Sequence, residues 1–337
     1  MTTALTFDDV CLQPYYNNVD SRTEPQLTTD LTQNHKVSSP LVASNMQTVI
    51  SDELADVLIS FGITPIFHRF TSHNQIQKWI IKYTKKCFIS WGVNHLEDLF
   101  IIFRACEGLV PAGICFDVAH GHSLKMQIAI DQLKSSYPDL DIIAGNVCTG
   151  RAVHDLANWG ADAIRVGIGC GAACSTRIVT GFGVPQFTAI RDCATVAAQR
   201  KIPIIADGGI RGTSDIIKAL AAGASTVMLG KMFAATVESA AEKMGRIVRN
   251  NNGFDDCMYA KYKGQASSSF QREGLTPEGV EGWIPVTGSA GDLINSLHAG
   301  IKSGLTYGGA RTIRELQDHA IFTRVTPAYG AESKPQL

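Results

Sequence analysis

Apolar residues fall along this chain in two alternating textures. From Leu41 onward, short runs rich in Val, Ile and Phe take turns with longer stretches whose apolar positions recur at three- and four-residue spacing. Those are the periods of buried strands and of amphipathic helices. Eight runs read as strands: Leu41 to Ser44, Pro65 to Phe67, Phe88 to Val93, Gly113 to Val118, Asp141 to Ala144, Ala163 to Val166, Pro203 to Ala206 and Thr226 to Leu229. Between them, Asp52 to Ser60, Ser123 to Lys134, Thr149 to Asn158, Phe187 to Gln199 and Thr213 to Ala222 read as helices. Strand and helix alternating in this way predict an α/β fold, the (β/α)8 TIM barrel, with its site at the carboxyl ends of the strands. GADAIRVGIG from Gly160 and GASTVMLGK from Gly223 share one wording, as barrel strands six and eight would.

The flanks differ. Residues 1–40 are polar and lack a sustained period, which predicts an irregular arm with short strands over one barrel end. Residues 245–290 are rich in Gly, Ser, Asn and acids and too long for an ordinary barrel connection, so they read as a flap. Helical spacing resumes at Gly291 to Ser303 and Thr312 to His319, and 327–337 read as a loose tail. The whole of 1–337 is expected to be one catalytic domain.

Bulk numbers narrow the ligand. The chain has 337 residues and a formal net charge of -1, which gives no electrostatic reason for a nucleic-acid or membrane-surface partner. No run approaches a membrane span of roughly 20 apolar residues. Nine cysteines, odd in number and unpaired in spacing, read as reduced thiols in a cytoplasmic protein. A small-molecule substrate follows.

The chemistry concentrates in GIGCGAACSTR, Gly167 to Arg177, directly after the sixth strand run. Its glycines let the loop fold back tightly, and Cys174, Thr176 and Arg177 share one turn. A thiol attacks as thiolate, so cationic and amide neighbours suit Cys174 as a nucleophile. Thr176 is a poor proton carrier alone and needs a partner. Cys170 and the pair His120 and His122 lack the ligand sets of a metal site; both histidines are expected at a strand end facing the site. IIADGGIRG ends a strand run with Asp207, Gly208 and Gly209 before a helix start, and Gly230 follows strand eight; together they make a phosphate cradle, with Asp207 accepting from ribose hydroxyls. No GxGxxG motif signals a Rossmann cofactor domain.

VGIGCGAACSTR, TGFGVPQ, IIADGGIR and VMLGKMFA, with LTFDDVCLQP, SNMQTV, DVAHGHS and TYGGAR, resemble the family of inosine monophosphate dehydrogenases and guanosine monophosphate reductases. The likeness runs over nearly the whole chain. It implies a Cys174 thioimidate on C2 of a purine nucleotide and a proton relay of Thr176 with Glu278, Glu281 being the fallback. It implies nucleotide contacts from Tyr262, Gly264, Gln265 and Ala266, and a nicotinamide cofactor over Asp117, Val118 and Ala119, with Arg69, Ser21 and Arg22 at its far end. It also implies a potassium ion at Gly169, Gly171, Cys174 and Arg177, and a homotetramer. No inserted regulatory (CBS) domain fits between Phe67 and Phe88. Two positions depart from the family: Ala172 stands where a phosphate-binding serine is usual, and Lys231 follows the strand-eight glycine, where it would meet phosphate as a point charge. The segment between KYKGQAS and TPEGVEG is only SSFQREGL and holds no Arg-Tyr pair, the water-activating device of the dehydrogenases. The resemblance therefore implies a reductase of GMP to IMP using NADPH, in purine salvage, although PEGVEGW is nearer the dehydrogenase wording. Oxidation of IMP with NAD, an FMN barrel with the same cradle, and a nucleotide-binding barrel without catalysis are the alternatives.

Overall fold

The computed structural model describes residues 3–250, 253–267 and 276–333. Eight parallel strands, Leu41–Ala43, Ile66–Phe67, Phe88–Trp91, Gly113–Asp117, Asp141–Val147, Ala163–Val166, Ile204–Asp207 and Thr226–Leu229, form one sheet. From the second strand on, each pairs with the next, and the eighth returns to the first through Val227–Leu41, Met228–Val42 and Leu229–Ala43. Among the described residues the one unlaced seam lies between the first and second strands. Helices separate the strands, so the expected (β/α)8 barrel is what forms. The fifth strand runs past Ala144 to Val147, with a register shift between Gly145 and Val147.

Each strand sends one apolar residue into a common layer inside the barrel: Val42, Ile66, Phe88, Cys115, Ile143, Ala163, Ile205 and Met228. Opposite faces pack against the helices, which makes the strands apolar on both sides. Helix starts are set locally. Ser51, Ser72, Ser123, Thr149, Ser289 and Thr312 each accept from the backbone N–H three residues on, satisfying a donor the helix itself cannot. Only the helix His73–Tyr83 and the turn Thr84–Lys86 separate strands two and three.

Within the arm, Thr29–Asp30 pairs with Lys36–Val37, and this hairpin pushes Leu31 and Val37 into the apolar layer, closing the amino-terminal end of the barrel. Val10–Leu12 runs antiparallel to Phe322–Arg324, tying the two flanks together. The flap is not irregular. Lys243–Asn250, Gly253–Lys263 and Glu281–Pro285 make a three-stranded antiparallel sheet. Part of the shortened flap segment, 268–275 with Ser268, Ser269 and Phe270, lies outside the described residues, as do 334–337 of the tail. The rest of that tail, expected loose, holds the short helix Tyr329–Glu332, whose Tyr329 hydroxyl donates to Cys11 Sγ at 3.3 Å. No described helix is long and apolar enough to cross a membrane.

Candidate active site

A cavity of about 950 Å³ opens at the carboxyl ends of the strands and under the flap sheet. That is near the top of the range for small-molecule sites, roughly 300–1,000 Å³. It is lined by Cys174, Thr176 and Glu278; by Asp207, Gly208, Gly209, Gly230 and Lys231; by Tyr262, Gly264, Gln265 and Ala266; by Arg69, Asp117, Val118 and Ala119; and by Gly169 and Gly171. Residues spread over more than two hundred positions of sequence thus meet on one wall.

The sixth-strand loop turns so sharply because Gly167 has φ +151°, and a Cβ there would fall 1.9 Å from the Asp207 carbonyl. The loop therefore lies directly on strand seven. Cys174 is the exposed thiol among the described cysteines, and it donates to Thr176 Oγ1 at 3.1 Å. That contact puts a hydroxyl at the thiol proton. Glu278 reaches the same loop through its backbone, its carbonyl accepting from Ser175 N at 2.8 Å. Glu281 instead sits 3.9 Å from Lys261 Nζ and from Lys263 Nζ on the flap sheet, which ties its carboxylate there. Cys170 is structural: it donates to Gln186 Oε1 at 3.2 Å and to the Asp207 carbonyl at 3.1 Å, and burial pushes its thiol pKa up.

The floor is a chain of buried charges that strand patterning concealed. Arg165, on strand six, donates through Nη1 to Asp117 Oδ1 at 2.8 Å and through Nε to Asp207 Oδ2 at 2.9 Å. Burial works against its charge, but the two carboxylates outweigh that and hold the guanidinium ionised. Asn146 Nδ2 also donates to Asp207 Oδ2, at 2.7 Å. Both bonds go to Oδ2, and Asp207 lines the cavity. The helix after it, Thr213–Ala221, begins at Gly212 with no side-chain cap, unlike the Ser- and Thr-capped helices above. Its first turn carries a carboxylate of its own, Asp215, whose Oδ2 accepts from Arg211 N at 2.9 Å. Tyr262 is buried, and burial pushes its phenol pKa up, so it stays a donor beside Gly230, where a Cβ would fall 2.7 Å from its hydroxyl oxygen.

Some expected residues lie elsewhere. Arg22 sits over the Tyr307 ring, 6.0 Å from its centroid, and neither Arg22 nor Ser21 lines the cavity. His120 and His122 do not face the site: His122 Nε2 bonds Asp155 Oδ2 at 2.8 Å on the helix Gly150–Asn158. Arg177 runs beneath the loop, donating to the carbonyls of Val184 at 2.6 Å and Ile168 at 3.3 Å. Among the described residues no group of His, Cys, Asp or Glu is arranged to hold a metal ion. Arg165 and Asn146 were not expected from sequence; a charge inside the otherwise apolar run AIRV was the available signal.

The family model described as IMP dehydrogenase / GMP reductase domain matches residues 4–336. An inosine-5'-monophosphate dehydrogenase of Borreliella burgdorferi is 36% identical over 98% of this chain and 96% of its own length. A GMP reductase of Helicobacter pylori is 39% identical, over 92% of this chain and 93% of its own. The inosine-5'-monophosphate dehydrogenase of Aquifex aeolicus is 45% identical over 67% of this chain, which spans about half, 48%, of that relative. A barrel with a cysteine loop over strand six, matched in sequence from end to end, thus belongs to the IMP dehydrogenase / GMP reductase family of purine-nucleotide oxidoreductases.

Proposed function

We propose that the chain is a GMP reductase, converting GMP to IMP and ammonia with NADPH. The contact of the Cys174 thiol with Thr176 Oγ1, in a cavity that Glu278 also lines, carries the reading. Cys174 Sγ adds to C2 of the purine while its proton passes to Thr176 and Glu278. The same pair protonates the 2-amino group, the C2–N bond breaks and ammonia leaves. A thioimidate on Cys174 remains. NADPH, when bound, supplies a hydride to C2. The C2–S bond then breaks, Cys174 leaves as thiolate, and IMP is released.

The residues present suit both ligands. Asp207 and the Lys231 ammonium, which both line the cavity beside Gly208 and Gly209, offer acceptors to ribose and donors to phosphate. The cavity is large enough for a second ligand beside the nucleotide, over Val118 and Ala119 with Arg69 at the rim. For a potassium ion, the carbonyls of Gly169, Gly171, Cys174 and Arg177 are hard oxygen donors. Those of Gly171 and Arg177 already accept one backbone N–H each and keep a second lone pair. A homotetramer belongs to the same reading, as the family resemblance implies it.

A second reading, IMP dehydrogenase, is favoured by the wording PEGVEGW and by the relatives of that name. One cuvette experiment separates them. GMP with NADPH and potassium should consume NADPH, and Cys174→Ala should abolish it. Reduction of NAD with IMP instead would install the second reading, and silence in both would reject both.

A further inference from the structure

Segment 278–280 is held on both edges at once. Toward the nucleophile loop, Val280 N donates to Ala173 O at 3.0 Å, and Ser175 N donates to Glu278 O at 2.8 Å, making an antiparallel bridge that pairs Cys174 with Gly279. Toward the flap sheet, Glu278 N donates to Ala266 O and Gly264 N donates to Val280 O, each at 3.0 Å. Gly279 sits in the middle of this stitch. A Cβ there would meet Ser267 N at 3.0 Å, Ala266 C at 3.1 Å and the Ala173 carbonyl oxygen at 3.2 Å. All three are backbone atoms, which cannot swing aside as a flexible side chain can.

We propose that Gly279 is a positioning residue: by carrying no side chain it lets the strand bearing Glu278 close on the Cys174 loop, so that nucleophile and proton relay are set as one unit. The inference rests on the roles given above to Cys174 and Glu278. A Cβ at 279 must move the two edges apart by a few tenths of an ångström. Catalysis by positioned groups is steep in such displacements, about 1 Å being enough to cost 10²-fold. Binding depends on them less, because, of the cavity residues assigned to the nucleotide, only the stretch 264–266 lies against residue 279, while Asp207, Gly208 and Lys231 come from other loops.

Gly279→Ala tests this against Gly282→Ala, a control three residues on in the same flap, where a Cβ meets nothing within 4 Å. Gly279→Ala should lower kcat by about tenfold or more, with the nucleotide dissociation constant shifted less than about threefold. Gly282→Ala should leave both unchanged. Alkylation of Cys174 by iodoacetamide gives a readout that needs no turnover, and Gly279→Ala should change its rate severalfold at an unaltered melting temperature. Equal alkylation rates in the two variants and the parent would overturn the proposal. So would equal losses of kcat. If alkylation responds as expected while no substrate pair turns over, the coupling stands and the reductase reading falls.

Discussion

At the scale of single residues, the buried Asp117–Arg165–Asp207 chain sets the electrostatics of the site. One guanidinium, itself 4% exposed, serves two carboxylates that both line the cavity. Removing one member of such a set leaves charge buried without compensation, which costs about 3–5 kcal/mol. Arg165→Met should therefore lower the unfolding free energy by that order, measured by guanidinium titration, and weaken nucleotide binding as Asp207 loses its fixed orientation; unchanged stability would mean that the pairs do not hold the floor. Cys174 stood out in the sequence through its turn with Thr176 and Arg177 and above all through the family wording of that loop, since a free cysteine by itself reads as a small buried apolar residue. Arg165 and Asn146 were not, because a single polar residue in a strand does not reveal which neighbouring strand end will supply its partner. Their partners lie 42, 48 and 61 residues away.

Among elements, the barrel strands were readable and the strands inside the flap were not, for one physical reason. Barrel strands are buried on both faces, so they show as unbroken apolar runs. The first two flap strands pair antiparallel as far as Asn250 with Gly253. In the same sheet the strand Glu281–Pro285 is largely exposed and imposes little apolar alternation on its sequence. Nor did the arm's polar composition disclose that Leu31 would be fully buried at the closed end of the barrel. That hairpin is a plug remote from the cavity. Leu31→Ala should cost about 2–5 kcal/mol of stability by leaving a void in the interior layer. The nucleotide dissociation constant, measured by calorimetry, should stay within twofold of the parent. A comparable loss of affinity would show that the two ends of the barrel are not independent.

Over the whole molecule, burial of neutral histidines shapes the response to acid. His68 is 6% exposed, and burial pushes its pKa down to about 4; His35 and His298 are lowered by the same cause. The unfolded chain takes up protons near pH 6.5 that the folded chain refuses, so stability falls as pH drops from about 6.5 to about 4. His68 accounts for about 3 kcal/mol of that loss at the lower end. Denaturation midpoints across this window should show a decline that is shallower in His68→Gln; an identical slope would remove His68 from the account. Closure of the barrel by Val227 on Leu41 has a consequence for synthesis on the ribosome. Leu41–Ala43 emerges early and has no partner in the barrel sheet until Thr226–Leu229 follows, and Glu278 comes later still. A nascent chain truncated before these segments thus presents open strand edges and an incomplete cavity, so a ligand of that cavity can stabilise the chain only once both segments have emerged.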